Sequence, residues 1–372
     1  MGRVHCSSEK TFIEYLGIMS YVIQGIQHMG IAVSDMDASL KLYRQLFGLD
    51  IPFFDAVAAA PLMDSHCKGE TIVKRASMVL NHQGGCAVEV VSPTSFTPRG
   101  PIFELQQGDL GIGSTMVKTR DIRAMHDHAR GILPESCDKD IVMDPLGRLT
   151  FFLRDFDKNL FQILESDSSF INNGHPSGGI LGGTIGVSNM AKSFKLYKDI
   201  LGYDEVLYDK EGVFEDWAHL NGGEQKYRRV LLTQSNQGTG GFAQMMGRTY
   251  IELVVALERK GRFIFEDRIW ADTGIAHLGF DVRGMKELGG ELDKVGFGFR
   301  CDTADALSMG DHTSVHCTYI DDPDGCWIEL IEVHKIPILE KLGVFLNVQK
   351  RAPSKPLPKW MLYALKFNRI KD

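Results

Sequence analysis

At 372 residues, 44% of them hydrophobic, the chain is long for one core and sufficient for two domains. A net charge of −7 and a pI near 6.0 exclude a general basic field for gathering nucleic acid, so a small molecule is the expected partner. Seven cysteines, odd in number and never spaced Cys-x-x-Cys, argue against a disulfide framework and a zinc knuckle, and predict a reducing, cytoplasmic setting.

Residues 1–24 read as an N-terminal extension. Glu14 interrupts its apolar run and no small-residue cleavage site follows, so neither a signal peptide nor a membrane span is predicted. "QHMGIAVSDM" (27–36) then alternates as a strand, with His28, Gly30 and Ala32 on one face and Met29, Ile31 and Val33 on the other. A helix follows, with Ser34 or Asp35 as N-cap, an apolar stripe of Leu40, Tyr43, Leu46 and Phe47, and Gly48 as its end. The β-formers "VKRASMVL" (73–80) and "CAVEVVS" (86–92) complete a β-α-β-β-β unit at about 25–95. A second unit is predicted at about 109–168, from "GIGSTMVKTRDIRAMHDHARG" (111–131) to the closing strand "RDFDKNLFQILE" (154–165).

"GGILGGTIGVS" (178–188) is glycine-rich, lacks a P-loop Lys-Ser/Thr and opens a strand, and reads as a linker running into a third unit at about 181–257. A fourth unit, at about 273–334, runs from "GIAHLGFDVRGMKELGGELDKVG" (274–296) to "DDPDGCWIELIE" (321–332). Residues 336–372 form a basic tail in which Trp360, Tyr363, Ala364 and Phe367 repeat at helical spacing. That spacing predicts a helix packed on the body or on a second subunit, which leaves a homodimer open; a helix lying on a membrane surface is the weaker alternative.

The units are copies. A shift of 154 residues aligns "VSDMDASLKLYRQLFGLD" (33–50) with "VSNMAKSFKLYKDILGYD" (187–204) without a gap, Tyr43 matching Tyr197 and Gly48 matching Gly202. Two domains contiguous in sequence, 25–170 and 178–335, are therefore expected, each holding two units.

Four such units, a His-x-Gly on the first strand and a closing "DPDGCWIEL" resemble the vicinal-oxygen-chelate superfamily over about residues 25–334. That group includes glyoxalase I, methylmalonyl-CoA epimerase, extradiol dioxygenases and bleomycin-resistance proteins. The resemblance implies an α+β fold of four βαβββ modules, paired into two cup-shaped, mixed-sheet half-barrels. It also implies two inward-facing metal-ligand positions per unit: His28 and Glu89, Ser114 and Gln162, Gly182 and Glu252, His277 and Glu329. Imidazole and carboxylate suit one divalent ion such as Zn, Ni, Co, Mn or Fe, whereas Ser, Gln and Gly are poor ligands or none. Units paired in chain order would leave Glu252, His277 and Glu329 in one cup. Pairing the first with the fourth and the second with the third would gather His28, Glu89, His277 and Glu329, and this swapped arrangement is preferred because it fills one complete set.

That set resembles the His-Glu-His-Glu glyoxalases. A lyase, isomerase or epimerase is then expected, which chelates two adjacent substrate oxygens and moves a proton through an enediolate by way of Glu89 or Glu329. Extradiol ring cleavage with non-haem Fe(II) is the competing class. "GDHTSVHCTYIDDPDGCWIE" (310–329), with His312 and Tyr319, approaches its pattern, but Arg262 stands where its catalytic histidine is expected. A non-catalytic small-molecule binder is the third class. Arg75 and Arg229 occupy matching positions of the repeat and read as structural ion pairs or as anchors for a substrate carboxylate.

Overall fold

Four β-α-β-β-β units fold into two curled sheets in the computed structural model, which describes residues 21–236, 240–303, 307–309, 313–339 and 344–370. The first unit contains β1 (Val22–Ala32), α1 (Met36–Phe47), β2 (Ile51–Ala59), β3 (Val73–Leu80) and β4 (Ala87–Pro93). The second contains β5 (Gly111–Thr119), α2 (Ile122–Ile132), β6 (Val142–Met143), β7 (Leu149–Arg154) and β8 (Leu160–Glu165). In the third are β9 (Ser177–Gly186), α3 (Met190–Phe194), β10 (Glu205–Gly212), β11 (Tyr227–Thr233), α4 (Ala243–Met246) and β12 (Tyr250–Ala256). The fourth comprises β13 (Gly274–Arg283), α5 (Met285–Val295), β14 (Cys301–Asp302), β15 (Leu307–Met309), β16 (Thr313–Asp321) and β17 (Trp327–Leu339), and is followed by β18 (Val344–Asn347) and α6 (Lys359–Ala364). The class is α+β, as the family resemblance implied. Most of the extension 1–24, and His312, lie outside the described residues.

The helix signals act as read. Asp35 caps α1 by accepting the Ala38 N–H, and Gly48 ends it in the left-handed region at φ 62°, its N–H reaching the Tyr43 and Arg44 carbonyls. The repeated tyrosines face inward and reach another unit. Tyr43 donates to Asp155, 2.5 Å away in the turn before β8, and Tyr197 donates to Asp322, 2.9 Å away in the turn before β17. Each aspartate also accepts N–H groups of its own turn, so one carboxylate closes the hairpin and docks the neighbouring unit's helix.

Neither sheet is built from one contiguous half of the chain. The first runs β14-β16-β17-β13-β1-β4-β3-β2 and joins the first unit to the fourth; the second runs β10-β11-β12-β9-β5-β8-β7-β6 and joins the third to the second. The join is made by antiparallel first strands, β1 with β13 and β5 with β9. This is the swapped arrangement, and the expected split at 170/178 does not divide the sheets. The apolar faces opposite the cups meet the helices in one continuous core that includes Tyr43, Phe47, Phe161, Tyr197 and Phe280.

Two expectations need correction. The glycine-rich segment 178–188 is no linker: it lies almost wholly within β9, which is buried along its whole length. Its glycines let other backbones approach, since a β-carbon at Gly182 would stand 1.8 Å from the Tyr250 carbonyl oxygen. In the tail, Leu362 packs inward at 1% exposure and its carbonyl meets His82, while the stripe residues Trp360 and Phe367 face out at 63% and 80%. Among the described residues no helix is long and apolar enough to cross a membrane.

Candidate metal centre

β1 and β13 each carry one histidine to the concave face of the first sheet. Their register sets His28 opposite Gly279 and His277 opposite Gly30. The parallel neighbours supply the carboxylates, β4 placing Glu89 beside Gly30 and β17 placing Glu329 beside Gly279. Strand parity turns all four side chains to the same face.

These side chains converge on one point. The two Nε2 atoms face each other at 3.0 Å. Glu329 Oε2 lies 3.0 Å from His28 Nε2 and 3.3 Å from His277 Nε2, and Glu89 Oε2 lies 3.2 Å from His277 Nε2 and 3.9 Å from His28 Nε2. One ligand atom of each residue is within 4.8 Å of all the others. Burial alone would raise both carboxyls and lower the imidazole of His277. Opposite charge wins: Lys74 and then His277 hold Glu89 below the ordinary carboxylate range, His277 and His28 hold Glu329 well below it, and Glu329 and Glu89 raise His277 above the ordinary imidazole range.

The chemistry of this donor set suits a cation. One proton shared between the two facing imidazole nitrogens would leave the two converging carboxylates without a balancing charge, whereas a divalent ion at that point accepts a lone pair from each of the four side chains and is neutralised by the two carboxylates. Nδ1 of His277 is buried without a hydrogen-bond partner, and that ring is held by Trp270 instead, 5.6 Å away and 20° from parallel.

The outer carboxylate oxygens have different company. Glu89 Oε1 lies 3.6 Å from the Lys74 ammonium, while Glu329 Oε1 accepts from the Cys317 thiol at 2.7 Å. Burial and the neighbouring Glu329 push that thiol well up, so it remains a donor. Sequence reasoning did not single out Lys74, Trp270 or Cys317. Lys74 shares the strand face of Met78, which pairs with Glu89, but that pairing is a fact of register. A separate cleft of about 520 Å³, lined in part by Gln106, Arg154, Thr184, Ile264 and Arg268, contains none of His28, Glu89, His277 and Glu329.

No known family profile matches the sequence, and no curated protein matches it. Solved structures do. The chain is similar to glyoxalase I from Zea mays at a TM-score of 0.53 and 14% identity, over 84% of this chain and 93% of that one. It is similar to a candidate dioxygenase from Bacillus subtilis at a TM-score of 0.56 and 14% identity, over 83% and 85% respectively. The chain has the vicinal-oxygen-chelate fold.

A chain of this vicinal-oxygen-chelate fold has a second cup, and here its contents differ. Where the first sheet has Gly30 and Gly279 beneath the imidazoles, the register of the second sheet puts Thr184 beside Glu252 and Met116 beside Gln162, which fills that space. Gly182, at the position matching His28, has φ 144° and no room for a β-carbon. Glu252 faces a guanidinium: Arg229 Nε lies 2.5 Å from its Oε1, Thr184 and Tyr208 donate to it, and Arg229 also reaches Asp216 at 2.8 Å. Trp217 covers the guanidinium at 3.6 Å. Gln162 donates to Thr150 at 3.3 Å.

The two arginines are therefore not equivalent. Arg229 pairs in register with Val254, two residues past Glu252, and faces in; Arg75 pairs with Ser92, three residues past Glu89, and faces Asp37 and Asp55 outside. A difference of one residue in strand register turns a side chain to the other face. Of the dioxygenase-like residues, Tyr319 sits in the first cup, its ring 5.6 Å from that of His277, while Arg262 pairs with Glu266 and covers Phe103.

Proposed function

We propose that the chain is a metal-dependent enzyme of glyoxalase I-like chemistry, a lyase, isomerase or epimerase, with His28, Glu89, His277 and Glu329 holding one divalent ion. The convergence of two imidazole nitrogens and two carboxylate oxygens within 4.8 Å, beside an apolar and aromatic cluster and with Lys74 and Cys317 against the carboxylates, carries this reading. When bound, Zn, Ni, Co, Mn or Fe would act as a Lewis acid on adjacent oxygens of a small-molecule substrate.

The chain's own groups account for the rest. The buried histidines fix the position of the site, Trp270 and Tyr319 wall it against water, and Glu89 or Glu329 moves a proton between neighbouring substrate carbons. Six cysteines, all unpaired in the described residues, support a cytoplasmic setting.

Metal content is the test. The purified protein should hold about one equivalent, and alanine at His28, Glu89, His277 or Glu329 should each lower occupancy, by more than the roughly 10- to 100-fold in affinity that loss of a ligand's outer partner costs. Retention by all four variants would overturn the proposal and leave a non-metal binding protein. Tyr319 beside His277 favours a second reading, catechol ring cleavage with Fe(II). Oxygen uptake with a catechol would select that reading, because an isomerase or lyase consumes none.

A further inference from the structure

Among the described residues Lys74 is the one lysine or arginine in ionic contact with any of the four ligand residues. Its Nζ lies 3.6 Å from Glu89 Oε1 and 5.1 Å from the centre of the Trp270 ring, and its side chain is 17% exposed. Trp270 stacks in turn on His277, so the ammonium is held within the cup over an aromatic face and beside the ligands. A separation of 3.6 Å is too long for a hydrogen bond, and an ammonium has three N–H groups to donate. Glu89 accepts none of them as a hydrogen bond, and with the side chain 17% exposed they are open to water or to a ligand.

The second cup shows a cation in its balanced form. Arg229 is wholly buried there and shared between two carboxylates, Glu252 and Asp216. Lys74 faces only the outer oxygen of a carboxylate whose other oxygen is turned to the histidines. In the metal-bound state proposed above, the two glutamates offset the divalent ion, and the charge of Lys74 is left over. The side chains of the adjoining cluster, Trp270, Tyr319, Trp327 and Phe265 among them, are uncharged. An uncompensated charge in such surroundings is unfavourable, and a ligand bringing one negative charge removes the imbalance.

We infer that the site takes a small organic monoanion with two adjacent oxygens, an α-keto or α-hydroxy carboxylate being the simplest form, and that Lys74 is the anchor for its negative charge. This rests on the metal-binding reading above.

The experiment uses full-length protein loaded with Co(II), whose visible absorption reports on the groups around the metal. It is titrated with pyruvate and with the neutral ester methyl pyruvate. Pyruvate should bind more tightly than the ester. Lys74→Met should weaken pyruvate binding by about tenfold while leaving ester binding and cobalt content as in the parent, and Lys74→Arg should restore most of the loss. Equal weakening of both ligands, or loss of cobalt from Lys74→Met, would overturn the inference and make Lys74 a support for Glu89. A cobalt spectrum that neither ligand perturbs would overturn the substrate class while leaving the metal site standing. Failure of the parent to bind cobalt would remove the metal reading and this inference with it.

Discussion

Gly30 lies beneath the ring of His277, so close that a β-carbon there would stand 2.0 Å from Cε1, and Gly279 lies beneath His28 with the corresponding distance 2.3 Å. Each His-x-Gly thus supplies one imidazole and the floor for the other one. Gly30→Ala should displace His277 rather than merely crowd it, because the imidazole is wholly buried and has nowhere to retreat. The expected outcome is metal loss close to that of His277→Ala, with a folded protein destabilised by about 1–3 kcal/mol from overpacking. Metal analysis alongside urea denaturation checks both parts, and full occupancy in Gly30→Ala would remove the role given to the glycines.

Glu252 should behave in the opposite way to Glu89 and Glu329. Its partner is the buried guanidinium of Arg229, so Glu252→Ala leaves a charge in the interior with Asp216 alone to answer it. The variant should keep its metal and lose about 3–5 kcal/mol of stability. Metal loss would mean that the second cup contributes to the site.

Asp281, on β13 four residues beyond His277, has its carboxyl pushed up to about 7 by burial, with Glu332 adding to the rise and Arg283 opposing it. The folded state therefore keeps this proton to higher pH than the unfolded chain, whose aspartate releases it near 4. Between those values the unfolded state binds fewer protons, so this residue's contribution to stability declines as pH rises from about 4 to about 7. Asp281→Asn should flatten that part of the pH profile and be more stabilising at pH 7 than at pH 5. Denaturation midpoints at the two values decide it, and parallel profiles for parent and variant would refute it.

Much of this was legible in the chain. The β-forming segment 73–80 coincides with β3 and 86–92 falls within one residue of β4, because β-branched and other strand-forming residues gather where a strand has an apolar face to cover. The candidate ligands come from the family resemblance, which implies two inward positions per unit, and strand parity agrees with their direction. Segment 178–188 misled because glycine serves both loops and strands that are closely approached, and only the neighbouring backbones distinguish the two. The tail stripe misled for a related reason: helical spacing identifies a face without saying what covers it.

Local rules were enough for the repeat, the four units, the caps and the residue types able to bind a metal, since each depends on residues close in sequence. Three matters were decided only by the tertiary structure. The first is which units share a sheet, for both pairings satisfy the same local pattern and differ only in which first strands meet edge to edge. The second is that Arg229 faces in and Arg75 out, a one-residue difference in register that no local signal records. The third is the place of Lys74, an ordinary residue of a β-strand until the pairing of β3 with β4 sets its ammonium against Glu89.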